Sequence, residues 1–168
     1  MTFREIEPSA FEKNAIKLIG KDWMLITAGE KEKYNMMTAS WGGIGHLWQK
    51  PVCFIFVRPT RYTYQFMEDN DFFSINFFIE KYRDILNFCG TKSGRDVNKM
   101  EETELTPISE LNTIYFEEAK LTLLCKKVYY HDIKPDNFLD LSIADLYPQQ
   151  NYHRMYIGEI LKCYMKEK

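Results

Sequence analysis

The chain has 168 residues, in which 22 lysines and arginines are balanced by 24 aspartates and glutamates, for a formal net charge of −2. This length allows one sizeable core, so we expect residues 1–168 to form a single domain. The balanced charge argues against nucleic-acid binding, and no apolar run approaches the roughly 20 residues of a membrane-spanning helix.

Short apolar runs separated by turn residues predict a mainly β fold. In chain order, the predicted strands are residues 23–27, 34–41, 52–57, 72–77, 115–119, 121–130 and 155–165. We expect a turn at residues 29–31 and a glycine loop at residues 42–45. Long alternation of strands and helices is missing, which disfavours a doubly wound parallel sheet. The pattern therefore favours a closed or partly closed antiparallel barrel.

Helical spacing predicts short helices at residues 60–69, 81–88 and 97–102, which we expect to cover the edges of the barrel. A glycine-rich loop is expected over residues 89–96. Residues 136–145 fit neither a helix nor a strand clearly.

The first polar cluster is the turn R-P-T-R-Y-T at residues 58–63, which directly follows an apolar strand. Proline ends the strand because it has no N–H for the ladder, and Thr60 is predicted to cap the next helix. Guanidiniums and hydroxyls thus gather where a helix leaves N–H groups unpaired, which suits a phosphate. The candidate ligands here are Arg58, Arg61, Tyr62 and Thr63.

The second cluster is C-G-T-K-S-G-R-D at residues 89–96, in which glycines would let backbone N–H groups approach an anion. It lacks the G-x-x-x-x-G-K-[ST] pattern of a P-loop. An ordinary solvated turn would have the same composition, so the alternative stays open. The candidate ligands are Cys89, Gly90, Thr91, Lys92 and Ser93.

The third cluster is N-M-M-T-A-S-W at residues 35–41, with candidate contacts Asn35, Thr38, Ala39, Ser40 and Trp41. On a strand, hydroxyls at alternate positions share one face and could bind the polar edge of a heterocycle. Trp41 could pack on its plane. A half-exposed strand with ordinary polar residues is the alternative.

His153 precedes the last strand and could hydrogen-bond a ring carbonyl or assist proton transfer. The alternative is a histidine whose hydrogen bonds serve only the structure. No Ser-His-Asp set or carboxylate pair is evident, so no catalytic side chain is assigned.

The four cysteines form no C-x-x-C pair and the three histidines show no ligand spacing, so we expect no metal site. The N-terminal residues lack a secretion signal, and we expect a cytoplasmic protein.

Together these segments resemble the flavin reductase-like, FMN-binding split-barrel family, with the closest likeness to its flavoredoxin branch. The segments that carry the resemblance are N-M-M-T-A-S-W (35–41), K-P-V-C-F-I-F-V-R-P-T-R-Y-T (50–63), C-G-T-K-S-G-R-D (89–96) and H-R-M-Y-I-G-E-I (153–160). The resemblance spans roughly residues 15 to 165. It implies a Greek-key split β-barrel that dimerises and binds FMN near the dimer interface.

The resemblance also implies roles for the candidate residues. Thr38, Ser40 and Trp41 would meet the flavin ring. Phosphate or ribityl oxygens would meet Arg58, Arg61 and Thr63. The other side of the phosphate would be lined by Cys89, Gly90, Lys92 and Ser93. His153 would contact the ring.

An FMN-dependent oxidoreductase is the function that the resemblance implies. NADH or NADPH would bind only transiently, since the chain has no G-x-G-x-x-G fingerprint; a redox protein could replace it as donor. The alternatives are an FMN electron carrier without NAD(P)H turnover and a non-enzymatic dimer that binds a phosphorylated ligand.

Overall fold

The computed structural model describes residues 2–31 and 33–167, and ten strands dominate this part of the chain. The strands are β1 (Phe3–Ile6), β2 (Met24–Glu30), β3 (Lys33–Ala39), β4 (Gly42–Leu47), β5 (Lys50–Val57), β6 (Phe72–Phe77), β7 (Pro107–Glu110), β8 (Thr113–Phe116), β9 (Leu121–Asp132) and β10 (Arg154–Lys166). The mainly β prediction is confirmed.

Short helices connect the strands. The α-helices are α1 (Ala15–Lys17), α2 (Tyr62–Asp69), α3 (Arg83–Thr91) and α4 (Lys99–Thr103). A π-helical turn at Leu18–Asp22 continues α1, and 3-10 turns occupy Pro8–Ala10, Glu80–Tyr82, Pro135–Asn137 and Leu141–Leu146. In the described residues, no helix has the length and apolar character needed to cross a membrane.

The main sheet is antiparallel and has the strand order β3-β2-β6-β9-β10-β5-β4, with β1 paired to β10. β7 and β8 form a separate hairpin. β10 pairs with β9 along one edge, and its other edge pairs first with β5 and then with β1. Because register shifts interrupt the β9–β10 ladder near Gly158, the long strands bend and the sheet curls into a partial barrel.

The barrel core packs the inner faces of these strands together. Its largest buried members include Phe73, Phe77 and Tyr156. Gly158 faces Phe73 so closely that a Cβ would lie 2.5 Å from the ring, so the bend in β10 leaves no room for a side chain. A second cluster packs α3 against β3 and β8 and fixes the position of that helix.

The predicted glycine loop at residues 42–45 is wrong, since these residues open the edge strand β4. Its glycines pair with β5, and the ring of Phe54 lies over Gly43, where a Cβ would be 3.4 Å from Cδ2. The Phe54 ring covers the face of β4 on which Gly43 and Gly45 present no side chain. Glycine is tolerated in a strand at such an edge, so composition alone misled the prediction.

Three predicted boundaries also move. β3 ends at Ala39, so Thr38 and Ser40 do not share a strand face as predicted. α2 begins at Tyr62 and its N-cap is Arg61 rather than Thr60, with no side-chain cap. The predicted turn at residues 29–31 is strand over its first two residues, because β2 runs to Glu30 and Lys31 lies in a turn.

The first three residues of the predicted loop at residues 89–96 are helical, because α3 continues to Thr91. Two cationic side chains bind carbonyl oxygens at the end of this helix and so satisfy groups that would otherwise be unpaired. These partners lie far away in sequence. Local composition therefore could not predict where α3 ends.

Candidate functional site

A small cavity of about 90 Å³ opens where β5 leads into α2 and α3 ends, and we call it the cationic cavity. Its described lining contains three cations and five hydroxyl-bearing side chains but no carboxylate. The lining residues are Asn35, Thr60, Arg61, Tyr62, Thr63, Thr91, Lys92, Ser93, Gly94 and Lys99. The structure thus brings seven of the predicted site residues together around one space.

Arg61 spans the gap between α2 and α3. Its Nη1 donates to the carbonyl oxygen of Gly90 at 2.9 Å, and its Nη2 donates to that of Cys89 at 3.3 Å. Burial lowers the pKa of this guanidinium from its usual value, but arginine stays charged. Arg61 therefore places a positive charge in the wall of the cavity and holds the end of α3.

Lys99 is a cavity residue that the sequence reasoning missed. Its side chain is buried, with 3% of the residue exposed, and Nζ donates to the carbonyl oxygens of Met36 at 2.9 Å and Cys89 at 2.8 Å. Burial, with the nearby Arg61 charge, lowers its pKa to about 8. Nothing in the spacing around residue 99 distinguished it from a solvated lysine on a short helix.

Asn35 ties β3 to α2. Its Nδ2 donates to Oγ1 of Thr63 at 2.8 Å, and both side chains are buried. A Cβ at Gly94 would overlap Oδ1 of Asn35 and lie 2.6 Å from Cδ1 of Tyr62. Only glycine lets the 93–94 backbone come this close to the cavity wall. Because the Thr63 oxygen accepts a bond from Asn35, its own proton is left to donate.

The loop after α3 supplies polar groups from the other side. Thr91 donates its hydroxyl to the carbonyl of Asn87 at 2.9 Å, while the Ser93 oxygen accepts from the N–H of Arg95 at 3.2 Å. Ser93 therefore keeps a proton to donate. Lys92 is exposed at the rim.

Thr38 joins β3 to α3 beside the cavity. Its hydroxyl donates to the carbonyl of Leu86 at 2.6 Å, and a Cβ at Gly90 would lie 3.3 Å from its Cβ. The Cys89 thiol is fully buried, and burial raises its pKa to about 11, so it stays protonated. Both cations bind the carbonyl oxygen of Cys89. Ala39, the last residue of β3, and Ser40 after it are half-buried.

Beside the cavity lies a second group, the histidine cluster, made of Trp41, Phe56, Arg58, Tyr147 and His153. The His153 ring lies 5.1 Å from the Trp41 ring and 5.5 Å from the Tyr147 ring, measured between centroids. Burial, together with the charges of Arg58 and Arg61, lowers the pKa of His153 to about 4. His153 is therefore neutral at physiological pH.

Arg58 belongs to this cluster and does not line the cationic cavity. Its Nη1 donates to Oδ1 of Asn151 at 2.6 Å and its Nη2 to the carbonyl of Leu146 at 3.0 Å. The guanidinium also lies 4.8 Å from the centroid of the Tyr147 ring. All these partners come from the 146–151 segment, so Arg58 holds that segment in place.

The two groups adjoin, because Arg61 lines the cavity and its charge acts on His153. The arrangement can bind an anionic group in the cavity and a planar group beside Trp41. Among the described residues, no group of three or more His, Cys, Asp or Glu side chains could hold a metal ion.

Comparison with known proteins finds one family model that matches most of the chain. The model of the family described as flavin reductase like domain matches residues 17–168. Flavoredoxin from Methanosarcina acetivorans is 25% identical, with a TM-score of 0.67 over 87% of this chain and 69% of that chain. Among curated proteins, none matches the sequence significantly.

Two more distant structures show the fold alone. A split barrel domain from Shewanella frigidimarina has a TM-score of 0.66 at 19% identity, covering 96% of this chain and 78% of that chain. An NADH:FAD oxidoreductase from Streptomyces globisporus has a TM-score of 0.64 at 13% identity, covering 86% and 75%. The split-barrel prediction is thereby confirmed.

Proposed function

Because the chain belongs to the flavin reductase-like family, we propose that it is an FMN-dependent oxidoreductase. Electrons would come from NADH, NADPH or a redox protein and leave to an acceptor. The observation that carries this proposal is the cationic cavity beside the histidine cluster, which offers an anion site and a planar site side by side.

The cationic cavity suits the phosphate of FMN. Arg61 and Lys99 are charges fixed by hydrogen bonds to helix and strand carbonyls, so little side-chain entropy is lost when an anion binds. The hydroxyls of Thr63 and Ser93 retain protons for an acceptor oxygen. With no carboxylate among the described lining residues, nothing there repels a dianion.

The flavin ring would lie beside the histidine cluster. Trp41 is 41% exposed and offers an open aromatic face, whereas His153 is buried and neutral. When bound, FMN supplies the hydride and electron-transfer chemistry. Trp41 would pack on the ring, His153 would hydrogen-bond it, and Thr38 would hold the adjoining strand against α3.

An electron carrier is the second candidate. Its support is the likeness to a flavoredoxin at 25% identity, together with the missing dinucleotide fingerprint in the sequence. A carrier would keep FMN but not oxidise NADH or NADPH. A phosphorylated-ligand-binding dimer without redox activity is the third candidate and would bind without any reduction.

In this account the working form is a homodimer. Large aromatic side chains are exposed on the β4–β5 turn and the outer half of β9, with Trp48 at 53% and Tyr129 at 45% exposure. The Trp48 ring lies 5.8 Å from the Tyr129 ring, so these residues form one apolar surface. A second copy of the chain could cover this surface and shield the flavin ring.

Anaerobic visible spectroscopy of the protein with FMN separates these candidates. Rapid bleaching of bound FMN by NADH or NADPH would support the oxidoreductase and identify its donor. Bleaching by dithionite but by neither nucleotide would favour a carrier or an enzyme with a protein donor. Failure to bind FMN would contradict the proposal.

A further inference from the structure

The Tyr147 hydroxyl and Nδ1 of His153 are 2.7 Å apart, and both side chains are buried. We infer that Tyr147 is a positioning residue that fixes His153 as the Nε2–H tautomer, so that His153 presents a neutral N–H donor to a bound ligand. The tautomer follows from the protein's own contacts. Only the identity of the ligand that accepts a hydrogen bond from this N–H depends on the proposed function.

The direction of the Tyr147–His153 hydrogen bond follows from what surrounds the phenol oxygen. The Arg58 guanidinium lies 4.8 Å from the Tyr147 ring centroid, and the His153 backbone N–H also faces the hydroxyl. Neither group can accept a hydrogen bond from the hydroxyl. Among the described residues, Nδ1 is the one acceptor that the hydroxyl reaches. The hydroxyl therefore donates to Nδ1, and a neutral imidazole must carry its proton on Nε2.

The other ring nitrogen is free to meet a ligand. Nε2 has no hydrogen-bond partner among the described residues. In the same residues, the polar side-chain atoms that lack both a partner and contact with solvent are the hydroxyls of Thr27 and Thr113, and Nε2 is not one of them. Nε2 is therefore not enclosed. Since the pKa of His153 is lowered to about 4, the donor is uncharged near neutral pH.

Tyr147 is itself held rigidly. Arg58 stacks on its ring and binds the carbonyl of Leu146, the residue before it. Phe138 stacks on it at 6.1 Å, and the Tyr152 ring lies 4.9 Å away. Arg58 thus acts on His153 through Tyr147, which gives this arginine a role other than phosphate binding. The matching ligand group is a carbonyl oxygen or ring nitrogen of a planar molecule near Trp41.

Side-chain ¹H–¹⁵N spectra of the histidines in the full-length protein, recorded without ligand, test this inference. We expect the wild-type His153 to carry its proton on Nε2 and to show a hydrogen-bonded Nδ1. Tyr147→Phe should move the Nδ1 resonance toward that of an unbonded nitrogen or of mixed tautomers. Tyr152→Phe is the matched control and should leave it unchanged, while unaltered His46 and His131 signals report an intact fold.

A proton on Nδ1 in the wild type, or an Nδ1 resonance that Tyr147→Phe leaves unchanged, would overturn the inference. Adding FMN then tests the contact, because the Nε2–H signal should shift in the wild type and shift less in Tyr147→Phe. If FMN does not bind, the proposed function fails, while the ligand-free spectra still decide the role of Tyr147.

Discussion

Lys99 and Arg61 bind the same carbonyl oxygen, that of Cys89, at 2.8 and 3.3 Å. Two cations therefore meet at the C-terminal end of α3, where the helix dipole is negative and offsets part of their mutual repulsion. Two of the positive charges of the cationic cavity are thus held in place by backbone carbonyls of α3 and β3. Binding of a phosphate would need little rearrangement of these two side chains.

Arg61→Ala and Arg58→Ala should differ in how they affect flavins. Arg61→Ala removes a charge from the cavity wall and should weaken FMN binding by about 1.5–3 kcal/mol, with little effect on riboflavin, which has no phosphate. Arg58→Ala should change the affinity of both flavins equally, because Arg58 acts through the 146–151 segment. Fluorescence titration measures all four affinities. An Arg58→Ala effect confined to FMN would contradict this assignment.

FMN affinity should fall above pH 8. The pKa of free Lys99 is lowered to about 8, and a bound phosphate favours its charged form and raises that pKa. Above pH 8 the free protein loses a proton that the complex keeps, so affinity drops by up to about tenfold per pH unit. Titrations between pH 7 and 9.5 should show this decline in the wild type and not in Lys99→Met.

Unfolding gives an independent check on that pH effect. Because the folded pKa of Lys99 lies below its unfolded value, the unfolded state binds more protons between about pH 8 and 10. The Lys99 contribution to the free energy of unfolding of the ligand-free protein should therefore rise with pH. A parallel loss of stability and affinity in the wild type would mean that unfolding causes the decline.

Gly94→Ala should damage the cavity wall. The new methyl group would overlap Asn35 and lie 2.6 Å from Tyr62, which should destabilise the fold by about 1–3 kcal/mol and weaken FMN binding. Gly20→Ala is the matched control, because nothing lies within 4 Å of the position that its new methyl group would take, and it should be neutral or slightly stabilising. Urea denaturation compares the two. Equal stability of both variants would contradict the close packing at Gly94.

Trp48→Glu should give a monomer. The charge falls on the exposed surface that Trp48 shares with Tyr129, where a second copy would have to desolvate it. Ile79→Glu, which changes an equally exposed apolar residue elsewhere, should leave the dimer intact. Sedimentation velocity at micromolar concentration reads out both. A monomeric wild-type protein would contradict the proposed homodimer.

Seven of the ten strands in the described residues, and the grouping of polar residues at the cationic cavity, could be predicted from the sequence because their signals are local. The apolar run of β6 fixes its bounds at Phe72–Phe77, and polar residues of the 58–63 and 89–96 segments line the cationic cavity. When the polar residues of a site are adjacent in sequence, their residue types alone indicate the chemistry of that site. That residues 1–168 form a single domain stays a prediction.

The features that the sequence did not predict depend on distant contacts. β4 needs β5 and the ring of Phe54 to cover its glycines. Lys99 is buried because its ammonium group binds carbonyl oxygens of β3 and α3. Arg58 does not line the cationic cavity because the 146–151 segment supplies its hydrogen-bond acceptors. The acceptors of Lys99 and Arg58 lie between 10 and 93 residues away in sequence, so no local pattern could assign them.

The measurement that tests the central claim most directly compares the affinities of the wild-type protein for FMN and for riboflavin at pH 7. The two ligands share one ring and differ in the phosphate. If the cationic cavity holds the phosphate, FMN should bind about 100-fold more tightly or more, as expected for two or more charge-assisted hydrogen bonds. Equal affinities would show that the cavity does not bind the phosphate and would contradict the account.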